Sequence, residues 1–446
     1  MHDRINLPAI IAVLLGVSIV TLDISLTSTS VPTIARGIGV SAASTIWIIN
    51  IYYLTVVAAL LPFAALGEIY GHRRIFFSGL CVFAIGSLCC GLANSLTQLM
   101  IGRGIVGFGA AAVSATTPAL IKSLYPPANL SRGLGLYAMI VGIAFTVGPT
   151  AASTVLAIAD WSWLFLPNAP LAMAAFLMAI KGLPQTERNV RPFDIVSAML
   201  CASMFACLLY GIAGMAHLGW VPVVIAFSAF IALGYCLMKR ESGQAAPILA
   251  IDLFRIRLFT LSSLTAICAF AVQGLVFVVL PFLFQFKLGF SQVEAGFLIT
   301  PWPATLAFMT LVAAPLSDRI SPGILGCLGL IIVAFGLALI AALPNHVQIY
   351  DVIWRLVLCG VGYGLFQSPN MVAMMNSAPK NRSGSAGGIL STSRLVGQAI
   401  GAAAVAFCVS HWSEQGIHVA IWLGVLIAIL GSGVSLVRIF PSMLRT

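Results

Sequence analysis

Residues 8–31 read PAIIAVLLGVSIVTLDISLTSTSV, an apolar run that thins into hydroxyl residues and carries one charge, Asp23. A bilayer core about 30 Å thick is crossed by roughly 20 helical residues, so this stretch reads as a transmembrane helix. It is too long for a signal-peptide core and is polar at its outer end, so it is expected to stay in the chain as the first helix. Similar runs follow at 45–66, 75–94, 97–120, 135–157, 164–183, 194–215, 219–238, 259–285, 293–315, 323–343, 350–374, 384–409 and 418–438, which makes fourteen. They are twice the length of barrel strands and apolar all round, so an all-α integral membrane protein is predicted.

Composition agrees. The 446 residues are 60% hydrophobic and 8% charged, and the mean hydropathy is +1.07, outside the range of soluble domains. The net charge of +10 could suggest a nucleic-acid partner, but its distribution argues otherwise. With the N-terminus placed on the cytoplasmic side, seventeen of the 22 Lys and Arg residues fall in cytoplasmic segments and only Arg36 and Lys287 in outer loops. Arg103, Arg355 and Arg394 lie inside spans. This asymmetry follows the positive-inside rule and predicts cytoplasmic termini. No nucleic-acid partner is expected. All ten cysteines fall within predicted spans with no metal-ligand spacing, and the six histidines lie in or near loops. No metal centre or His-based catalytic cluster is predicted. A GxxxxGK[ST] phosphate loop is missing as well, so energy must come from an ion gradient or from the substrate's own.

Two longer cytoplasmic stretches, one from Lys181 and one from Lys239 to Leu258, bracket spans seven and eight. The predicted division is an N-terminal six-helix bundle (1–183), two linking helices with their loops (184–258) and a C-terminal six-helix bundle (259–446). The outer bundles echo each other. Glu68 and Asp318 stand 250 residues apart, as do the Gly79-Leu80 and Gly329-Leu330 pairs; Arg103, Gly107, Gly109 and Pro118 are answered by Arg355, Gly360, Gly362, Gly364 and Pro369. Parallel six-helix repeats with a substrate path between the halves are a transporter architecture.

Of the twelve acidic residues, only Asp23 lies deep in a span. An ionised side chain there costs several kcal/mol on insertion scales, so it is expected to face a bundle interior or a wet cavity and to serve as a proton carrier. A purely structural carboxylate, satisfied by the hydroxyls of Thr21, Ser25, Thr27, Ser28 and Ser30, is the competing account. Arg103, about six residues into span four, sits at a depth that permits pairing with Asp23; proton arrival would free the arginine and proton loss would restore the pair. Simple snorkelling of Arg103 to the interface is the alternative. At the cytoplasmic end of span two, Glu68, Gly71, Arg73 and Arg74 form a candidate gating motif: the acid opposes the helix dipole and needs a positive partner, and the glycine allows a tight turn. Gly148 and Pro149 in span five suggest close packing with a kink. Tyr53, Trp302, Gln367, Asn370 and Arg394 are candidates for lining a substrate cavity.

These motifs resemble the major facilitator superfamily, in particular its fourteen-helix drug:proton antiporter branch, over nearly the whole chain. LDISLTSTSVP (Leu22–Pro32) is similar to the branch's helix-one signature, and GEIYGHRR (Gly67–Arg74) to the loop after helix two, with Ala64, Glu68, Ile69 and His72 departing from the usual residues. Arg103 with Gly107 and Gly109 resembles the helix-four motif, with Val106 where glutamine is common. Gly148-Pro149 resembles the antiporter motif of helix five, with Ala152 and Ser153 replacing a glycine pair. WSWLFLPNAP (Trp161–Pro170) and GYGLFQSPN (Gly362–Asn370) resemble segments of the fourteen-helix branch. The resemblance implies a proton-coupled antiporter in the cytoplasmic membrane that exports lipophilic, often cationic drugs or biocides. It is expected not to be an enzyme, to act as a monomer and to need no cofactor beyond the coupling protons. Some members carry an acid in helix ten, where this chain has only Glu294 at the outer start. A proton-linked importer of a small metabolite on the same fold is the alternative.

Overall fold

A computed structural model describes residues 7–125, 130–185, 193–215, 219–242, 249, 251–317, 319–344, 347–378, 383–412 and 415–439. Asp318, the counterpart of Glu68, lies outside them, as do Arg4, Arg188, Arg191, Lys380, Arg382 and Arg445 from the cytoplasmic basic set. The described residues are helical throughout their regular structure, as hydrocarbon requires of a chain whose backbone polar groups must all be satisfied internally.

The chain forms two compact units. The first contains α1 (Leu7–Ile38), α3 (Trp47–Tyr70), α4 (His72–Gly91), α5 (Leu96–Leu124), α6 (Leu130–Ile158), α7 (Asn168–Gly182), most of α8 (Ile195–Gly214) and α9 (Trp220–Glu241). The second contains the short α2 (Ala42–Thr45), then α10 (Arg257–Phe282), α11 (Gln292–Ile299), α12 (Pro301–Leu316), α13 (Pro322–Ala341), α14 (Ile349–Ser377), α15 (Ser383–Trp412) and α16 (Gly416–Val437).

Among the described residues, thirteen helices are long and apolar enough to cross a membrane by themselves. The fourteenth crossing, predicted as one run over 293–315, is built from α11 and α12. Hydropathy gives no hint of the break, but Pro301 has no N–H to continue the α11 ladder and is well suited to start a new helix. The Thr300 hydroxyl covers the junction by donating to the Gly296 carbonyl at 3.2 Å.

The internal repeat has a physical counterpart within each unit. A Cβ at Gly79 on α4 would stand 3.1 Å from the Gly109 carbonyl oxygen on α5, and one at Gly362 on α14 would stand 2.5 Å from that of Gly329 on α13. Each glycine pair lets two helix backbones touch. A close backbone approach through glycine therefore recurs in α4–α5 and α13–α14.

Candidate functional site

Part of the polar half of α1 satisfies its hydroxyls within the helix, while Ser30 Oγ has no hydrogen-bond partner. Thr27, Ser28 and Thr29 each return their hydroxyl to the carbonyl four residues back, with distances of 2.8, 2.8 and 3.1 Å. Such bonds let hydroxyl residues sit inside a buried helix without unpaired donors. Ser25 reaches across to the Phe145 carbonyl on α6 at 3.0 Å. None of these hydroxyls is directed at the Asp23 carboxylate.

Asp23 is instead held by other helices. Arg103 Nη1 on α5 donates to its Oδ2 at 2.6 Å, and Asn168 Nδ2 at the start of α7 donates to its Oδ1 at 3.0 Å. The ion pair is sealed, with side-chain exposures of 0% for Arg103 and 1% for Asp23. Arg103 Nε also donates to the Ile48 carbonyl on α3 at 3.4 Å. The guanidinium carbon lies 4.5 Å from the Tyr52 ring centroid and 5.8 Å from that of Phe165, within cation–π range. Snorkelling is thereby excluded for Arg103: the side chain runs inward. One donor, Arg103 Nη2, has no partner.

Four helices, α1, α3, α5 and α7, thus meet at one charge pair. In a low-dielectric interior, parting such a pair leaves an uncompensated charge, so release of the cation requires that the acid be neutralised and that new partners surround the cation. The site is chemically able to couple proton occupancy to helix arrangement.

At the predicted gating motif, Gly71 joins α3 to α4 with φ of 97°, a conformation that side chains with a Cβ seldom adopt. Arg73 Nη2 donates to the Ile180 carbonyl at 3.0 Å, near the C-terminal end of α7, where a cation is electrostatically favoured, and its guanidinium lies 5.2 Å from the Phe77 ring centroid. Glu68 and Arg74 are exposed. In α6 the helix continues through Gly148 and Pro149. A Cβ at Gly148 would collide with Ser25 on α1, so Gly148 fixes how closely α6 approaches the helix that carries Asp23. Gly148→Val is expected to destabilise the protein by about 1–3 kcal/mol through overpacking, read as a lower melting temperature in detergent, whereas Gly148→Ala should have a smaller effect.

The five predicted cavity residues divide between the units. Tyr53 is buried in the first, edge-on to Tyr52 with ring centroids 5.7 Å apart. Trp302, Gln367, Asn370 and Arg394 belong to the second. Asn370 is taken up structurally: its Nδ2 donates to the Ser262 carbonyl at 3.1 Å and its Oδ1 accepts from Arg438 at 2.7 Å, tying α10, α14 and the end of α16. Arg355 makes a within-helix pair with Asp351 at 2.6 Å.

Sequence reasoning missed Asn168 and Tyr52 as partners of the charge pair, and Tyr363 as a neighbour of Trp302. Asn168 lay within a quoted motif, but its role depends on α7 starting beside Asp23, 145 residues away in the chain. A polar amide near the outer end of the predicted span 164–183 was the available signal.

A family model described as Major Facilitator Superfamily matches residues 13–402. The uncharacterized transporter YebQ of Escherichia coli K12 is 41% identical over 444 residues, covering 98% of this chain and 97% of the relative. Multidrug resistance protein Stp of Mycobacterium tuberculosis CDC 1551 is 31% identical over 421 residues, with coverages of 92% and 77%. Riboflavin transporter RibZ of Clostridioides difficile 630 is 28% identical over 397 residues, with coverages of 88% and 86%. Among solved structures, a POT family transporter in complex with 5-aminolevulinic acid superposes with a TM-score of 0.71 at 14% identity, covering 97% of this chain and 96% of that one, a likeness of fold alone.

Proposed function

From the premise that the chain belongs to the major facilitator superfamily and is a membrane transporter of small molecules, we propose that it is a proton-coupled antiporter. It exports lipophilic, often cationic compounds across the cytoplasmic membrane, with both termini on the cytoplasmic side. The observation that carries this reading is the sealed Asp23–Arg103 pair. A carboxylate placed in hydrocarbon, with one cation as its charge partner, is suited to taking up a proton and releasing that cation. Protonation biases the helices towards one access state and deprotonation towards the other, so that a substrate competing for the vacated negative charge moves in the opposite direction to the proton. Export is supported by relatives named as multidrug resistance proteins.

The test is dissipation of a pH gradient in everted membrane vesicles, across a panel of amphipathic cations, neutral drugs and metabolites. Proton release on addition of amphipathic cations is expected, lost when the gene is deleted. A response confined to metabolites, or none to any compound, would sink the export reading. A second reading, proton-linked uptake of a small metabolite, is favoured by the relative named as a riboflavin transporter; in the same vesicles it predicts a response to the metabolite panel alone.

A further inference from the structure

The second unit holds a group of buried polar atoms that proton coupling does not use. Trp302 on α12 and Tyr363 on α14 are both fully buried, with ring centroids 6.2 Å apart. Neither the Trp302 indole Nε1 nor the Tyr363 hydroxyl has a hydrogen-bond partner. One turn beyond Tyr363, the amide oxygen of Gln367 is also unpartnered, as is Nε of Arg394 on α15. Arg394 stands on α15 three residues before Gly397, where a Cβ would meet Phe270 at 2.9 Å, the residue whose ring packs on Tyr363. Phe270 meets Tyr363 edge-on at 6.2 Å and Phe277 meets Trp302 at 6.3 Å, so the polar atoms have aromatic surroundings. Gln398, one turn from Arg394, is already used: its Nε2 donates to Gln273 Oε1 at 3.0 Å.

Each orphaned buried donor costs about 1–3 kcal/mol, so several in one place call for a reason. Inside a membrane protein, polar groups of this kind mark a ligand path. The chemistry of the set names the ligand. The indole N–H and the guanidinium Nε–H can only donate, the phenol can donate or accept, and the unpartnered Gln367 oxygen accepts, so donors predominate. Arg394 brings a full positive charge, and no described residue gives it a hydrogen bond or an ion pair. The described acids of this unit stay at helix ends: Glu294 in a capping box with Ser291, Asp351 with Arg355 and Trp354, and Asp252 ahead of α10. A donor-rich, cationic, aromatic-walled site without an internal counter-charge is matched by a flat anion.

We propose that the second unit binds the carboxylate of a planar aromatic substrate. Arg394 pairs with the carboxylate, Trp302 Nε1 and the Tyr363 hydroxyl donate to its remaining lone pairs, and the ring system stacks among the aromatic side chains. The cargo of the proposed exporter then bears an acidic group in addition to a cationic one. This depends on the transport reading only for its direction, and it is tested by equilibrium binding with no proton gradient applied.

The full-length protein in lipid nanodiscs is titrated with 9-anthracenecarboxylate by fluorescence anisotropy, against its methyl ester and 9-(aminomethyl)anthracene, with empty nanodiscs subtracted. The carboxylate is expected to bind at least about tenfold tighter than either comparison compound. Arg394→Gln should erase that preference while leaving ester binding within about twofold, which also reports that the variant is folded; Trp302→Phe and Tyr363→Phe should each weaken the carboxylate about three- to tenfold. Equal affinity for all three compounds, or an Arg394→Gln protein that keeps the preference, overturns the proposal. If carboxylate binding holds and the vesicle assay shows no antiport, the coupling reading fails and the site stands.

Discussion

Asp23→Asn reconstituted in proteoliposomes is expected to lose proton-driven substrate exchange by about two orders of magnitude or more, the usual contribution of a positioned proton-transfer group. The amide keeps the size of the carboxyl group and can still accept from Asn168 or Arg103 through its one oxygen. Its NH2 group, however, presents donors where the native carboxylate accepted from Arg103 Nη1 and Asn168 Nδ2. The substitution therefore holds the site in an imitation of its neutral form, with Arg103 left without a charge partner. Substrate–substrate exchange, which needs no net proton movement, should survive better than uphill transport. Asp23→Glu lengthens the acid by one methylene in a site with 1% exposure, so partial activity is expected. Native exchange rates in Asp23→Asn would remove the proton-carrier role outright.

The topology could be read from the sequence because each crossing is a run of hydrophobic residues long enough for the bilayer, and length is a one-dimensional property. The interruption at Thr300–Pro301 escaped because hydropathy does not register a missing N–H. For Asp23 and Arg103, depth in their spans showed that they could meet, but whether they did depended on the rotation of α1 and α5 about their axes. Part of that placement comes from a glycine contact: with Gly148 against Ser25, α1 lies close on α6. The hydroxyl side chains after Asp23 offered a competing account of the carboxylate, yet helical geometry gives Thr27, Ser28 and Thr29 a carbonyl one turn back, and that bond forms without help from tertiary structure. The unpartnered atoms of Trp302 and Tyr363 could not be foreseen, because indole and phenol groups usually find a partner when buried. Only the packed structure shows that these two do not.

A double-mutant experiment separates what the charge pair does for stability from what it does for transport. Arg103→Met alone is expected to destabilise the first unit by about 3–5 kcal/mol, since it leaves Asp23 buried with no cation beside it. Adding Asp23→Leu should recover most of that loss: two apolar side chains of suitable volume replace a pair whose attraction was largely spent on its own desolvation. Recovery stops short of the native value because Asn168 Nδ2 then loses its acceptor, an unsatisfied buried donor worth about 1–3 kcal/mol; Asn168→Leu in the same background should close part of the gap. Melting temperatures in detergent give the order: native, then the triple and double variants, then Arg103→Met. The double variant should nevertheless transport nothing against a gradient. Additive losses, with Asp23→Leu/Arg103→Met less stable than either single variant, would show that the two residues act independently despite their 2.6 Å contact. A stable but inert double variant is the result expected of a pair kept for what it does when a proton arrives, not for holding the helices together.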